Sequence, residues 1–286
     1  MTAAARLRDL MAAGELVVAP GAYDCLSARM VQDAGFPAVY MTGAGTAASL
    51  GYPDYGLLTM SEMVGNARRI AAAVSVPVIA DADTGFGNEL NVVRTMQEYA
   101  AAGVAALHIE DQVFPKRCGH LDSKQVIDAD AFIGKIRAAA ESRPPDGPLL
   151  IARTDARAVL GFEDAIERAN RALAAGADVA FVEAPQTLEE LAEVPRRVEG
   201  SCLLNVVAGG KTPEIGLGRA AELGYQLAIV PVLLLAALLA AGDAALADLA
   251  ATGEHPPAVP VTPVAEIFRR AGSAPWDAVR DRHGVE

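Results

Sequence analysis

Short β-branched, apolar runs recur along the chain, each followed by a polar or glycine-rich break and then an alanine-rich segment with helical spacing. The apolar runs are Val17–Ala19, Ala38–Met41, Val76–Ala80, Ala105–Ile109, Leu149–Ala152, Val179–Val182, Cys202–Val206 and Leu227–Val230. The spacing predicts helices over Cys25–Ala34, Ser61–Ala73, Glu89–Ala101, Ala129–Ser142, Phe162–Ala174, Leu188–Val198, Pro213–Leu223 and Leu233–Ala241. Several run into a glycine (Gly35, Gly103, Gly176), the usual helix stop. Strands alternating with helices pair in parallel through right-handed crossovers, and eight such units in 286 residues fit an α/β fold closed as a (β/α)₈ barrel. The alternative, an open doubly wound sheet, is weakened by the lack of a Gly-x-Gly-x-x-Gly turn between strand and helix.

No low-complexity linker divides the chain, so residues 1–254 read as one barrel domain. The proline-rich run His255–Pro263 then sets off a tail, residues 255–286, with a helix around Pro263–Arg270 that docks elsewhere instead of closing the barrel. The apolar run Leu227–Ala241 is too short to span a membrane and carries Pro231, so it reads as a buried strand feeding a helix.

Charge narrows the partners. A net charge of −12 and a pI near 4.8 argue against nucleic acid and against an anionic membrane surface, both of which require a basic face. A small anionic substrate stays admissible if a local cation or metal offsets the field. The three cysteines, Cys25, Cys118 and Cys202, are scattered without metal-ligand spacing, and the first ten residues lack an apolar signal core, which points to the reduced cytoplasm.

The richest chemistry lies in His108–His120, HIEDQVFPKRCGH, which places acids, an amine, a thiol and an imidazole around a loop that Pro115 and Gly119 keep irregular. Lys116, Arg117 and His120 flank Cys118, so the thiol is expected to have a lowered pKa and to be reactive. In a barrel the residues just after each strand meet at one mouth. Those residues are Tyr40, Thr42, Gly43, Ala44 and Gly45; Asp81, Asp83 and Gly85; Glu110 and Asp111; Arg153 and Asp155; Glu183; and Asn205. Singly, such acids often cap helices or pair with basic residues. Together, Asp54, Asp81, Asp83 and Glu110 repel one another unless a cation sits among them, and hard oxygen donors without a His or Cys cluster suit Mg²⁺, with Mn²⁺ as the alternative. Thr42–Gly45 offers backbone N–H groups for a carboxylate, and Arg153 is suited either to fork onto a substrate carboxylate or to pair with Glu183. His108 reads as a core or supporting residue, and Cys25 and Cys202 as small buried hydrophobes.

The runs SLGYPDYG, DADTGFG, HIEDQVFPKRCGH, ARTDA, FVEAP and NVVAGGKTP, in this order between Val17 and Pro231, resemble the isocitrate lyase and phosphoenolpyruvate mutase superfamily. The resemblance implies a barrel whose terminal helix is exchanged between subunits, a homotetramer, and Mg²⁺ holding a 2-oxo or 2-hydroxy carboxylate. Lys116, Arg117, Cys118, Gly119 and His120 are similar to the loop of its carbon–carbon lyase branch. Carried over, Asp81 is the direct metal ligand, while Asp54, Asp83 and Glu110 act through bound water. Tyr40, Thr42, Gly43 and Ala44 hold the pyruvate-like part, and Lys116, Gly119, His120, Arg153, Glu183 and Asn205 the remainder. Cys118 is implied as the acid that protonates the departing carbon, with His120 and Arg153 stabilising its charge and Tyr40 or a metal hydroxide as candidate base.

Val206, Val207, Ala208 and Gly209 follow Asn205 where tricarboxylate lyases use hydroxyl side chains, and no Lys or Arg occurs between Arg219 and Arg269. A third carboxylate would be desolvated without a counter-ion from this segment, so a dicarboxylate of the 2,3-dimethylmalate kind is expected. The GGKTP run also resembles the dimethylmalate lyase and petal death protein group. The alternatives are a methylisocitrate lyase, an oxaloacetate hydrolase or decarboxylase, a carboxyphosphonoenolpyruvate phosphonomutase and a non-catalytic metabolite-binding barrel.

Overall fold

The computed structural model describes residues 1–121 and 123–284. The strands are β1 (Val17–Ala22), β2 (Val39–Met41), β3 (Val78–Asp81), β4 (Ala106–Glu110), β5 (Leu149–Thr154), β6 (Val179–Val182), β7 (Ser201–Asn205) and β8 (Leu227–Val230). They close in sequence order into a parallel barrel, with β8 pairing back onto β1. The helices are α1 (Ala3–Ala12), α2 (Cys25–Asp33), α3 (Gly43–Ser49), α4 (Met60–Ala73), α5 (Glu89–Ala101), α6 (Ala129–Ser142), α7 (Phe162–Ala174), α8 (Leu188–Arg197), α9 (Leu217–Leu223), α10 (Leu233–Thr252), α11 (Val264–Arg270) and α12 (Ala274–His283).

Side chains alternate across each strand, and this period of two separates packing from chemistry. Leu107, Ile109, Leu150 and Ala152 face outward onto Met96, Tyr99, Phe132 and Ile136 of the helix ring. Ile79, Ala106, Ile151, Phe181, Leu203 and Ile229 form a separate buried cluster within the barrel. Moving two residues along those same inward rows gives Asp81, His108, Arg153, Glu183 and Asn205, so each row is apolar below and functional at its C-terminal end. Helix starts are fixed by local caps. Asp24 and Thr59 each close a capping box, with Ser27 and Glu62 returning the bond.

The structure departs from the sequence expectations in several places, among them the unpredicted α12 and a later start for α9. Helix α1 was not anticipated, although Leu7, Leu10 and Met11 recur at helical spacing and pack with Ala4 on the cluster inside the barrel. The glycine-rich run after β2 is the helix α3, because Thr42 caps it by accepting from Gly45 N–H. Helix α10 runs on to Thr252 and is not buried: Leu238, Leu239 and Leu246 are more than half exposed. By length and composition it is the one helix among the described residues apolar enough to cross a membrane. Only its first turn, through Leu234, packs on the barrel core. Beyond it, α11 lies against α2. Asp122 and the last two residues of the tail fall outside the described residues.

Candidate active site

The barrel mouth encloses a small cavity of about 100 Å³ lined by Tyr40, Thr42, Ala44, Asp54, Asp81, Cys118, Gly119, His120, Arg153, Glu183 and Asn205, with Val207, Pro231 and Val232 as its apolar wall. Gly43, Asp83, Glu110 and Lys116 stand behind this lining. The Gly43 N–H is taken by Asp81 Oδ2 at 3.2 Å, so it is already engaged within the protein.

A cation does sit among the acids, and it is Lys116. Its buried ammonium lies 2.5 Å from Asp54 Oδ1 and 2.9 Å from Asp83 Oδ1. Burial opposes its charge, but Asp83, Asp54, Glu110 and Asp81 outweigh burial and raise its pKa well above the lysine value. Burial also opposes ionisation of Asp81, yet the surrounding groups pull its carboxyl down to about 2. His108, Lys116 and Arg153 carry that pull, in that order, with the Asp83 N–H adding to it. Asp83 is driven the other way, to about 6, by burial and by Asp81 and Asp54 beside it. Burial raises Glu110 well above the carboxylate range, Arg153 notwithstanding.

These residues fit a hard dication, though not as a cage of direct ligands. Asp83 Oδ1 meets Lys116 and Glu110 Oε2 meets Arg153 as ion pairs, Glu110 Oε1 is buried with no hydrogen-bond partner among the described residues, and every donor is oxygen. No group of three or more His, Cys, Asp or Glu side chains among the described residues converges tightly enough to hold a metal by itself. Water has to complete such a shell.

Across the cavity, a second network positions the organic groups. Arg153 Nε meets Asp155 at 2.9 Å, Glu110 at 3.2 Å and Glu183 at 3.6 Å, and its guanidinium lies over the Phe181 ring. The sequence offered Glu183 as its partner; Asp155 is the nearer one, being two residues along the same inward row. The backbone N–H of Lys211 donates to His120 Nδ1, so the ring proton sits on Nε2 and faces Glu183 Oε1 at 3.1 Å. Asn205 Nδ2 also donates to Glu183, while Asn205 Oδ1 is buried with no partner among the described residues. Tyr40 Oη lies 2.8 Å from His108 Nε2 and 3.4 Å from Asp81 Oδ2. Burial and Asp81 raise the Tyr40 pKa well above that of free tyrosine, so the phenol keeps its proton and acts as a donor, not as an initiating base.

Cys118 corrects the expectation of a lowered pKa. Burial is the largest influence and raises it; Asp54 pushes the same way, and the Arg153 and Lys116 charges do not reverse the balance. The group is a thiol that holds its proton. Sequence proximity misled here because Lys116 is committed to Asp54 and Asp83.

The loop carrying Cys118 is tied down over the mouth. Gln112 bonds the Arg117 backbone through both ends of its amide, and the buried Lys124 ammonium bridges the Gly119 carbonyl at 2.5 Å and Asp155 at 2.6 Å. Lys124 and Asp155 are therefore supporting residues that the candidate set lacked; the only signal for Asp155 was its place at the strand end. Gly119 lies so close to Arg153 and Glu183 that a Cβ would sit 2.8 Å from the Glu183 Cγ and Cδ. Gly119→Ala is expected to prop the loop open, lowering kcat/KM by about tenfold or more and speeding proteolysis within the loop. Wild-type values for both would show that the loop has room to spare.

Fold and site together define a (β/α)₈ barrel whose C-terminal mouth gathers charged and polar side chains around one cavity, the place where barrel enzymes carry their chemistry. The pattern of the family described as phosphoenolpyruvate phosphomutase matches residues 7–250. The chain is 47% identical over 232 residues to the 2,3-dimethylmalate lyase of Eubacterium barkeri, covering 81% of this chain and 80% of that one. It is 45% identical over 247 residues to the 2-methylisocitrate lyase of Aeropyrum pernix, covering 86% and 80%. A crystal structure of 2,3-dimethylmalate lyase superposes with a TM-score of 0.94 at 42% identity, covering 99% of this chain and 96% of that one. The chain belongs to the phosphoenolpyruvate phosphomutase family, and it is a lyase of the phosphoenolpyruvate mutase/isocitrate lyase superfamily.

Proposed function

We propose that this lyase is Mg²⁺-dependent and cleaves a 2-hydroxy dicarboxylate of the 2,3-dimethylmalate kind into a 2-oxo acid and a monocarboxylic acid. One observation carries the reading: a thiol that retains its proton lines the same cavity as Tyr40, Arg153, the Glu183–His120 pair and Asp81. Held through Asp81 with Asp54, Asp83 and Glu110 around it, Mg²⁺ would supply when bound the positive charge that favours an ionised substrate hydroxyl. Thr42, Ala44 and the Tyr40 phenol orient the 2-oxo end. The substrate's 2-hydroxyl gives up its proton to water at the mouth, the C2–C3 bond breaks, and the electron pair moves onto the departing carboxylate as an enediolate. Arg153 and the Nε2–H of His120 face that charge, and Cys118 delivers the proton that completes the new C–H bond.

Substrate choice follows from the apolar wall. Val207, Pro231 and Val232 border the cavity and offer no cation to a third carboxylate. Desolvating that carboxylate unpaired costs roughly several kcal/mol, enough for about a hundredfold or more in kcat/KM. The test is a screen of 2-hydroxy di- and tricarboxylates with Mg²⁺, following 2-oxo acid release, in which 2,3-dimethylmalate is expected to exceed methylisocitrate by that factor. Equal or reversed values would move the enzyme to the methylisocitrate lyases while leaving the cleavage chemistry in place.

The assembly is also a proposal. A monomer would leave the leucines of α10 in water, at a cost of roughly 25 cal/mol per Å² of apolar area, so a second copy of the chain is taken to cover them within a homotetramer. Leu238→Asp with Leu246→Asp is expected to give smaller particles by light scattering. An unchanged particle mass would place the contact elsewhere.

A further inference from the structure

A second cavity of about 410 Å³ opens outside the barrel, between the first turn of α5 and the face of α6, and none of the roles above uses it. Lys135 of α6 lines it and is only 6% exposed, yet it has no hydrogen-bond or ion-pair partner among the described residues. Burial lowers its pKa, and only the more distant Glu110, Asp111 and Glu89 act against that shift. Thr84 lines the same cavity, 1% exposed, and its hydroxyl also lacks a partner among the described residues. The Lys135 stem is buried and delivers its ammonium to this space, the buried Thr84 hydroxyl faces the same space, and an anionic oxygen would supply both with a partner. The remaining wall is largely apolar, with Phe114, Ile127 and Ala131, while Glu89 stands at the rim in water, where its charge is screened.

The cavity also touches both halves of the catalytic mouth. Thr84 adjoins Asp83, one of the two carboxylates that hold Lys116, and Phe114 lies two residues before Lys116 in the loop that carries Cys118. The segment is conformationally demanding: Asp83 and Phe86 hold left-handed backbone, at φ 45° and 60°, so occupancy beside Thr84 bears on a strained turn.

We propose that this cavity is an effector site for a monocarboxylate with an apolar body, such as a short-chain fatty acid. Its carboxylate takes the Lys135 ammonium and the Thr84 hydroxyl, its chain packs on Phe114 and Ile127, and binding steadies the catalytic loop. The site does not depend on which substrate the barrel mouth cleaves, so its test reads binding directly. Hexanoate is titrated calorimetrically into the full-length protein with the active site saturated by pyruvate and Mg²⁺, and into Lys135→Met and Thr84→Val in the same way. The expected result is saturable binding at one site, weakened about tenfold or more in each variant, with slower proteolysis of the Cys118 loop in the wild type alone. Lys135→Met keeps the side-chain length, and its melting curve reports folding; should it fail to fold, the isosteric Thr84→Val decides. No saturable binding, equal affinity in the folded variants, or displacement of hexanoate by pyruvate would each overturn the proposal.

Discussion

Cys118→Ser is expected to lower kcat by about 10²–10⁴-fold, the range that a positioned general acid contributes. KM and the affinity for pyruvate are expected to stay near their wild-type values, because the contacts assigned to the 2-oxo end come from Tyr40, Thr42 and Ala44 and not from the Cys118 loop. The substitution exchanges only sulfur for oxygen, so the loop ties through Gln112 and Lys124 are untouched. The hydroxyl fits the space but is a far weaker acid than even a thiol whose pKa burial has raised. Steady-state kinetics with 2,3-dimethylmalate, alongside pyruvate titration of each protein, separates the two effects. A serine enzyme within a few fold of wild type would remove Cys118 from proton delivery. Equal loss of pyruvate affinity would instead make it a binding residue.

The alternation of strands and helices was legible because a parallel strand buried on both faces must be an almost continuous apolar run. The expected runs and the observed strands agree closely for Leu149–Thr154, Val179–Val182 and Leu227–Val230. The barrel mouth was legible for the same reason: polar residues that directly follow such runs have few other places to point. What the sequence concealed depends on distance. Lys116 stands beside Cys118 in the chain, yet its charge is spent on Asp54 and Asp83, which belong to other loops. Asp155 was placed at the mouth, but its pairing with Lys124 was hidden because a buried ion pair spanning separate segments leaves no periodic trace. The outward face of α10 departs from the expected burial because apolar composition alone cannot tell a core helix from one exposed on the chain.

The two halves of the mouth are coupled through the loop that carries Cys118. Lys116 anchors it to the acids, Lys124 anchors it to Asp155 and hence to Arg153, and His120 reaches Glu183. In this position the loop therefore sets Cys118 at the cavity and a cation beside Asp54 and Asp83 at once. That arrangement gives the loop a reason to carry so many charges within so few residues.

Asp81→Asn carries the other large expected effect. Asp81 Oδ1 accepts from the Asp83 N–H at 2.9 Å and Oδ2 from the Gly43 N–H at 3.2 Å, so the carboxylate also organises the turn and the start of α3. Asparagine preserves the shape and one acceptor while removing the charge. Loss of a supporting partner of a metal ligand typically costs about 10–100-fold in metal affinity, and loss of the direct ligand's charge is expected to exceed that. Calorimetric Mg²⁺ titration in the absence of substrate reads the effect independently of turnover, and turnover is expected to fall with it. Two results would separate the claims. Unchanged Mg²⁺ affinity would assign the ion to other oxygens, with Glu110 the next candidate because its buried Oε1 has no hydrogen-bond partner among the described residues. Full activity of the wild-type enzyme in excess chelator would remove the ion from the chemistry and leave Lys116 and Arg153 as the positive charges on which an ionised substrate hydroxyl depends.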